Sequence, residues 1–264
     1  MPLAPVTSVM VRIALTFANL FFSTQVLAQI SSNDLLVHGD LLAHAFDNKG
    51  ALQAYLKAHA ADTSNCTALW KIAEAYINVG EESDKITQRQ CYYTAEKWAQ
   101  QAVAQCPDTA NSHFFVAVTS GLLALHEGGK QKVERSKIVK AEAEKTLRLD
   151  PAHHGAYHVL GRWHRELANL SWVLKAAAKI IYGGVPPGAS NEAAVANFKK
   201  AIEISPKWIE HHQQLGLTYV EMQEWELARE QFQQVLELPI RDHLDELHKK
   251  ECRKLLEQVK KKLK

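Results

Sequence analysis

The sequence predicts an all-α fold of stacked helix hairpins, and three observations support this prediction. Good helix formers (Ala, Leu, Lys, Glu and Gln) dominate the chain, whereas alternating runs of β-branched residues are missing. A pattern of small and aromatic residues recurs along the chain with long gaps. Each copy of the pattern ends at a proline, which lacks an N–H and clashes with the preceding turn of a helix.

The clearest copy of this pattern lies near the C-terminus. It consists of Leu215, Gly216, Tyr219, Ala228, Phe232 and Pro239. These offsets are those of the tetratricopeptide repeat, a helix hairpin of about 34 residues. A single hairpin of this kind cannot bury its apolar face, so several hairpins stack into a solenoid with a concave groove.

Three earlier copies end at Pro107, Pro151 and Pro206. The predicted repeats cover about residues 66–107, 110–151, 153–206 and 208–239. The third repeat carries a helical insertion of roughly 20 residues relative to the usual spacing. We expect one repeat domain over residues 29–264, with an amphipathic helix at about 242–264 that caps the stack. Two helices expected before residue 60 form either a degenerate first hairpin or a cap.

Residues 1–28 have the pattern of a secretory signal peptide. Arg12 is the only charged residue before Asp34, and an apolar run from Ile13 to Phe22 follows it. Small residues at Val26-Leu27-Ala28 then form a cleavage site. The sequence therefore predicts export to the periplasm or the cell exterior. The alternatives are an uncleaved N-terminal membrane anchor and an organelle transit peptide.

The four cysteines match no zinc-binding spacing. Cys66 precedes the first helix of the first predicted repeat, and Cys106 ends its second helix. These two ends lie side by side in an antiparallel hairpin, so an exported chain can form a Cys66–Cys106 disulfide. The alternative is a pair of buried free thiols that pack as small apolar side chains.

The segment from Asp150 to Pro206 is unusual for a repeat protein. It contains Leu160-Gly161-Arg162-Trp163, Leu170-Ser171-Trp172, Pro186-Pro187 and Ser190. This segment resembles the regulator of microtubule dynamics protein family, which has a Leu/Met-Gly-x-Trp helix, an Ala/Leu-x-Trp insertion and a Pro-Pro-x-x-Ser turn. The resemblance is best from about residue 150 to 232 and looser back to about residue 69.

This resemblance implies a non-enzymatic helical domain. Members of the family are linked to microtubule association, and the repeat domain of one tethering member is similar to a lipid-holding groove. Those members carry mitochondrial or membrane-anchor N-termini, whereas the N-terminus of this chain resembles an export signal. The microtubule role therefore applies only if the chain is intracellular.

The composition and motifs favour binding over chemistry. A net charge of +2 gives no field that attracts nucleic acid, and no nucleic-acid partner is expected. The chain has no nucleophile elbow, P-loop or His-Glu-x-x-His motif, so we predict neither an enzyme nor a cofactor. His154 and His158 share a helix face, with His153, His211 and His212 as further candidates, but no carboxylate or cysteine supports them at a ligand spacing. We therefore predict no metal site.

The first helix of each hairpin lines the concave face of such a stack, so this face is the best candidate site. By repeat phase, the side chains that project there are Trp70, Glu74, Phe114, His158, Arg162, Arg165 and Gln213. Aromatic rings supply apolar contact area, and arginine binds carboxylate or phosphate in a bidentate way. Two alternatives stay open: the insertion around Trp172 covers part of this face, or Arg162 pairs with Glu166 and serves only the fold.

Three functions follow from this architecture. The leading hypothesis is a scaffold that holds a protein or peptide in its concave groove. The second is a lipid-binding or tethering domain in which the insertion encloses an apolar cavity. The third is the microtubule regulation that the family resemblance implies.

Overall fold

The computed structural model describes residues 31–263 except Gly183 and Val185, and the side chains of Trp172, Ala177, Ala178 and Tyr182 are not described either. Every regular element in this part of the chain is a helix. The helices are α1 (Ser32–His44), α2 (Asn48–Ala61), α3 (Cys66–Glu81), α4 (Lys85–Gln105), α5 (Ala110–Ala124), α6 (Gly129–Leu149), α7 (His154–Ala168), α8 (Trp172–Tyr182), α9 (Asn191–Ile204), α10 (Ile209–Glu221), α11 (Trp225–Glu237) and α12 (Asp245–Lys262). The expected signal peptide at residues 1–28 lies outside the described residues.

The helices pack as hairpins: α1 with α2, α3 with α4, α5 with α6, α7 with α9, and α10 with α11. The first helices of successive hairpins also contact one another, so α1, α3, α5, α7 and α10 form an inner layer. Helix α8 is the insertion in the fourth hairpin and packs on α6, while α12 covers α10 and α11. The predicted all-α solenoid of tetratricopeptide type, with its helical insertion and its capping helix, is confirmed.

The N-terminal pair α1 and α2 is a hairpin that packs onto α3, which answers a question that the sequence left open. Ser32 Oγ donates to the carbonyl oxygen of Ala58 at 2.8 Å, and Tyr55 Oη donates to Asp40 Oδ1 at 2.7 Å. These bonds join the two helices of the pair. The solenoid therefore has five hairpins within the described residues.

A glycine facing a buried aromatic ring recurs in these hairpins. A Cβ atom placed on Gly39 would lie 2.3 Å from the ring of Tyr55. The same distance is 2.7 Å from Gly161 to Phe198 and 2.5 Å from Gly216 to Phe232. Phe198 and Phe232 are fully buried, so neither ring has room to move aside. Glycine is therefore required where the two helices cross in these three hairpins.

A second recurring contact closes the start of three hairpins. His113 Nε2 lies 2.8 Å from the carbonyl oxygen of Pro107, and His212 Nε2 lies 3.0 Å from that of Pro206. Tyr157 Oη donates to the carbonyl oxygen of Pro151 at 3.2 Å. Each polar ring stands six residues after the proline that ends the preceding hairpin. The contact therefore satisfies a carbonyl group that the proline turn leaves without a helical partner.

A disulfide joins Cys66 at the start of α3 to Cys106 at the end of α4. It closes the second hairpin at its open end across a sequence separation of 40 residues. The remaining cysteines, Cys91 and Cys252, are free thiols. Cys252 is buried in the core between α12 and its neighbours, and burial raises its pKa to about 12.

Within the described residues, none of the helices is both long and apolar enough to cross a lipid bilayer.

We predict that Gly161→Ala lowers the free energy of unfolding by about 1–3 kcal/mol relative to Gly121→Ala, because the added methyl group overpacks against Phe198. A Cβ on Gly121 would meet only Val139, at an ordinary contact distance of 3.8 Å. Both glycines lie inside helices, so the gain in helix propensity cancels between the two variants. Equal urea-unfolding midpoints would show that α7 and α9 do not cross as described.

We also predict that removal of the disulfide by Cys66→Ser with Cys106→Ser lowers the free energy of unfolding by about 2–4 kcal/mol. The bond restricts the unfolded chain, so its loss favours unfolding. Thermal unfolding with and without a reducing agent gives the same comparison on the unmodified chain. Cys91→Ser is the control and should leave the midpoint unchanged. A midpoint that does not respond to reduction would contradict the disulfide.

Candidate binding groove

The inner layer of helices encloses a groove with a cavity volume of about 880 Å³. Helices α3, α5, α7 and α10 supply most of its wall. The start of α6, the inserted helix α8 and the capping helix α12 complete it. This volume lies in the usual range of ligand pockets.

The floor of the groove between α3 and α5 is aromatic. Trp70 stacks on Phe115 with ring centroids 5.7 Å apart, and Phe114 meets Phe115 edge-on at 5.0 Å. Phe114 also lies 4.5 Å from the ring of His153 at the start of α7. Trp70 and Phe114 remain partly exposed to the groove, so they offer apolar contact area to an occupant.

The far end of the groove is aliphatic. It lies where α5, α6, α7 and the inserted helix meet, and its side chains are Leu122, Leu125, Val133, Val139, Leu167, Leu170 and Leu174. Leu174 belongs to α8, so the insertion contributes to the wall of the groove. The side chain of Trp172, which the sequence suggested as a cover for this face, lies outside the described residues.

The structure places Trp70, Glu74, Phe114, His158 and Arg162 on the wall of the groove, as the repeat phase predicts. They come from α3, α5 and α7, three successive first helices. The regular phase of the repeat is enough to bring these residues together.

Two predicted groove residues lie elsewhere. Gln213 is 3% exposed, and its Nε2 donates to Glu251 Oε2 of the capping helix at 2.9 Å. Arg165 faces a separate small depression and pairs with Glu166 at 2.8 Å. The repeat phase could not predict these two positions. The capping helix, which covers Gln213, is not part of the repeat, and Arg165 lies past the edge of the groove.

The alternative that the sequence left open, a pair between Arg162 and Glu166, is not formed. Arg162 Nη1 lies 3.7 Å from Glu210 Oε1 of the next hairpin. Glu166 forms an ion pair with Arg165 instead. Arg162 therefore links two hairpins and keeps a side chain that is 35% exposed to the groove.

Three histidines form a hydrogen-bonded chain along the polar wall. His154 Nδ1 lies 2.9 Å from His211 Nε2, and His211 Nδ1 lies 2.9 Å from His158 Nδ1. His158 Nε2 lies 3.2 Å from Glu210 Oε1. The chain crosses between α7 and α10, so it joins two neighbouring hairpins.

The direction of this chain depends on the charge of His158. When all three rings are neutral, every contact is satisfied if each ring donates toward the Glu210 carboxylate. When His158 is protonated, both of its nitrogens donate, so His211 must donate to His154 instead. One proton at His158 therefore reverses the tautomer of His211.

Burial controls the charges of this chain. Burial, followed by the neighbouring imidazoles, lowers the pKa of His154 to about 4 and that of His211 to about 2. Burial opposes the ionisation of Glu210, but His158 and Arg162 outweigh it and hold the pKa of that carboxyl group well below its usual range. At neutral pH the wall therefore carries the Glu210 carboxylate beside the neutral rings of His154 and His211.

The loop between α11 and α12 ties the C-terminal end of the stack to α3. His243 Nε2 lies 3.2 Å from Glu81 Oε2 at the end of α3, and His243 Nδ1 lies 3.3 Å from Asp242 Oδ1. Burial opposes a charge here, but the neighbouring carboxylates of Asp242 and Glu81 raise the pKa of His243 to about 10. A buried cation between two acids therefore bridges the groove.

Glu74 is the groove carboxylate that stands without a partner. It makes no hydrogen bond or ion pair with any described residue, whereas its neighbour Lys71 pairs with Asp40 at 2.7 Å. Burial raises the pKa of Glu74, and Lys71 only partly offsets this effect. An occupant that donates a hydrogen bond or carries a positive charge would relieve the cost of this burial.

Among the described residues, no group of three or more His, Cys, Asp or Glu side chains is arranged to hold a metal ion. The histidines that the sequence brought forward as metal candidates make other contacts. His212 bonds Gln231 and the carbonyl oxygen of Pro206, and His153 bonds Asn111. His154, His158 and His211 bond one another.

The fold and the groove define a tetratricopeptide-like helical-repeat protein. The fold matches that of a thermophilic tetratricopeptide-repeat protein of Thermus thermophilus, with a TM-score of 0.64, 14% identity, and coverage of 84% of this chain and 99% of that chain. The family model for regulator of microtubule dynamics proteins 1–3 matches residues 35–260. The chain belongs to this family.

Individual relatives carry the same name. Regulator of microtubule dynamics protein 1 of Caenorhabditis elegans is 26% identical over 192 residues, which are 73% of this chain and 84% of that protein. The bovine protein 1 is 26% identical over 170 residues, 63% of this chain and 53% of that protein. Protein 3 of Xenopus laevis is 30% identical over 139 residues, 52% of this chain and 30% of that protein. The match thus spans only part of the vertebrate relatives.

We predict that acid destabilises the protein as the pH falls from about 6.5 to about 4. An unfolded histidine titrates near pH 6.5, whereas His154 in the fold takes up a proton only near pH 4. The unfolded state therefore binds more protons in this window, and the free energy of unfolding falls as the pH drops.

Thermal unfolding across this pH range checks the prediction. His154→Gln should show a shallower loss of stability than the unmodified chain. His44→Gln, on the exposed surface of α1, is the control and should follow the unmodified chain. Parallel curves for all three proteins would mean that the histidine chain is not buried as described.

Proposed function

We propose that the protein is a non-enzymatic binding module that holds a segment of a partner protein in its groove. The observation that carries the proposal is an aromatic floor next to an unpaired carboxylate. Trp70 and Phe114 accept an apolar side chain, and Glu74 accepts a basic group of the same segment. The expected ligand is therefore a peptide that combines an aromatic or aliphatic residue with Lys or Arg.

The names of the relatives suggest that the partner is linked to microtubules. The disulfide and the N-terminal sequence support a different compartment, because disulfides persist in oxidising environments and are rare in the cytosol. We therefore propose that this family member works after export, on a partner outside the reducing cytosol. A microtubule-linked partner is the alternative if the chain stays inside the cell.

A lipid is a second candidate occupant, and the aliphatic end of the groove favours it. Leu122, Leu167, Leu170 and Leu174 meet there, and one of them belongs to the insertion. The polar wall argues against a lipid as the main ligand. Charged groups from α3, α7 and α10 border the remaining cavity, whereas an acyl chain gains only from apolar contacts.

Selection from a random peptide library tests the proposal. The unmodified chain should enrich peptides with an aromatic or aliphatic residue near Lys or Arg. Glu74→Gln should weaken binding of the selected peptide by roughly tenfold or more, because a charge-assisted hydrogen bond contributes about 1.5–3 kcal/mol and each 1.4 kcal/mol is tenfold. Phe114→Ala should weaken it by roughly the same factor, because burial of a Phe side chain contributes about 1.5–3 kcal/mol. Isothermal titration calorimetry measures this loss.

Two variants on α11 serve as matched controls. Glu230→Gln and Leu227→Ala alter exposed side chains outside the groove and should bind as the unmodified chain does. Failure to enrich any peptide would overturn the proposal. An equimolar lipid in an organic extract of the purified protein, lost in Leu174→Glu, would instead establish the second candidate.

A further inference from the structure

The inserted helix α8 exposes a stripe of large aliphatic side chains. Val173 is 53% exposed, Leu174 57%, Ile180 84% and Ile181 64%. At 3.6 residues per turn these positions fall within an arc of about 120° on one helix face. An amphipathic helix of a globular protein normally packs such a face against the core. Here these four described side chains are exposed.

The stripe continues toward the groove. Helix α8 packs on α6, and Leu174 shares the groove wall with Leu125 and Lys132 at the other side of the opening. Leu125 is itself 59% exposed. The aliphatic surface thus runs from α8 to the edge of the groove.

The free charges next to this surface are positive. Lys132 on α6 borders the groove together with Leu125 and Leu174, and Lys179 lies on the polar side of α8, about 100° around the helix from Ile180. Neither lysine has an ion-pair or hydrogen-bond partner among the described residues. The glutamates of α6 are all engaged, as the pairs Glu134–Lys137, Glu142–His113 and Glu144–Lys140 show. Glu166, which also borders the groove, pairs with Arg165. The surface therefore combines exposed aliphatic groups with uncompensated lysines.

We propose that α8 docks on an anionic lipid surface. Its aliphatic stripe enters the boundary between headgroups and acyl chains, and Lys132 and Lys179 contact the headgroups. Basic amphipathic helices bind membranes in this way, and anionic lipids attract nearby lysines. Long lysine side chains reach the headgroup level from the polar side of such a helix.

A second copy of the chain fits this surface less well. Helix α8 has 11 residues, whereas a stable protein–protein interface takes about 20–30 residues on each side. A lipid surface needs no complementary shape and accepts a short stripe. The docking goes beyond peptide binding in the groove, because it uses Val173, Ile180 and Ile181, which do not line the groove.

A fluorescent probe at the stripe tests this proposal directly. In the full-length chain with Cys91→Ser, Ile181→Cys is labelled with an environment-sensitive fluorophore, and Ile86→Cys on α4 is the control position. Vesicles of phosphatidylcholine with a minority of phosphatidylserine should shift the emission at position 181 to the blue. Position 86 should show no shift. An unshifted signal at position 181 overturns the proposal even if the N-terminal segment binds the vesicles.

Paired variants measure the contribution of the stripe. Ile180→Ser with Ile181→Ser should weaken vesicle binding by roughly a hundredfold or more, since each buried Ile contributes at least a factor of ten. Ile86→Ser with Leu227→Ser removes two exposed aliphatic residues elsewhere and should bind as the unmodified chain does. An equal loss of vesicle binding in both double variants would contradict a specific role for the stripe.

Charge is tested separately. Lys132→Gln with Lys179→Gln should reduce binding to the anionic vesicles and flatten its dependence on salt, while binding to pure phosphatidylcholine stays as it was. Unchanged binding to anionic vesicles contradicts the role of the lysines. If the stripe variants abolish capture of a protein and leave vesicle binding intact, the stripe is a protein contact and the lipid proposal is wrong.

Discussion

The close approach of the two helices in each hairpin is the constraint on which the rest of the structure depends. At Gly161 and Gly216 any side chain atom would collide with a fully buried phenylalanine ring. Because glycine has no side chain, the two backbones come close at these positions, and each phenylalanine ring fills the space beside the crossing. The hairpins then stack with their first helices inward, and this inner layer is what gives the protein a groove.

The groove differs from the open concave face of a simple repeat stack because the C-terminal end folds across it. The loop before α12 brings Asp242 and His243 to the end of α3, and α12 covers Gln213. The aromatic floor, the aliphatic end and the histidine chain are therefore parts of one enclosed wall. Within it, Glu74 is a carboxylate that no described residue pairs with.

The sequence was sufficient for those features that depend on local spacing. The small and aromatic positions Gly216, Tyr219, Ala228 and Phe232 predict the hairpins, and the repeat phase alone predicts that Trp70 and Arg162 face the groove. Contacts between distant segments were not predictable in this way. His211 meets His154 across 57 residues and His243 meets Glu81 from the other end of the chain, and both contacts depend on the curvature of the stack. Periodicity carries no information about curvature.

The ion pair between His243 and Glu81 changes how the protein unfolds from its ends. Ordinary repeat arrays behave as one-dimensional chains, in which terminal units fray without disturbing distant ones. Here the last helix is coupled to the second hairpin by a charged, buried contact that skips the hairpins between them. Unfolding of the C-terminal end that carries the loop before α12 therefore removes His243 from Glu81 as well. We therefore expect the second hairpin and the C-terminal end to unfold together rather than one after the other.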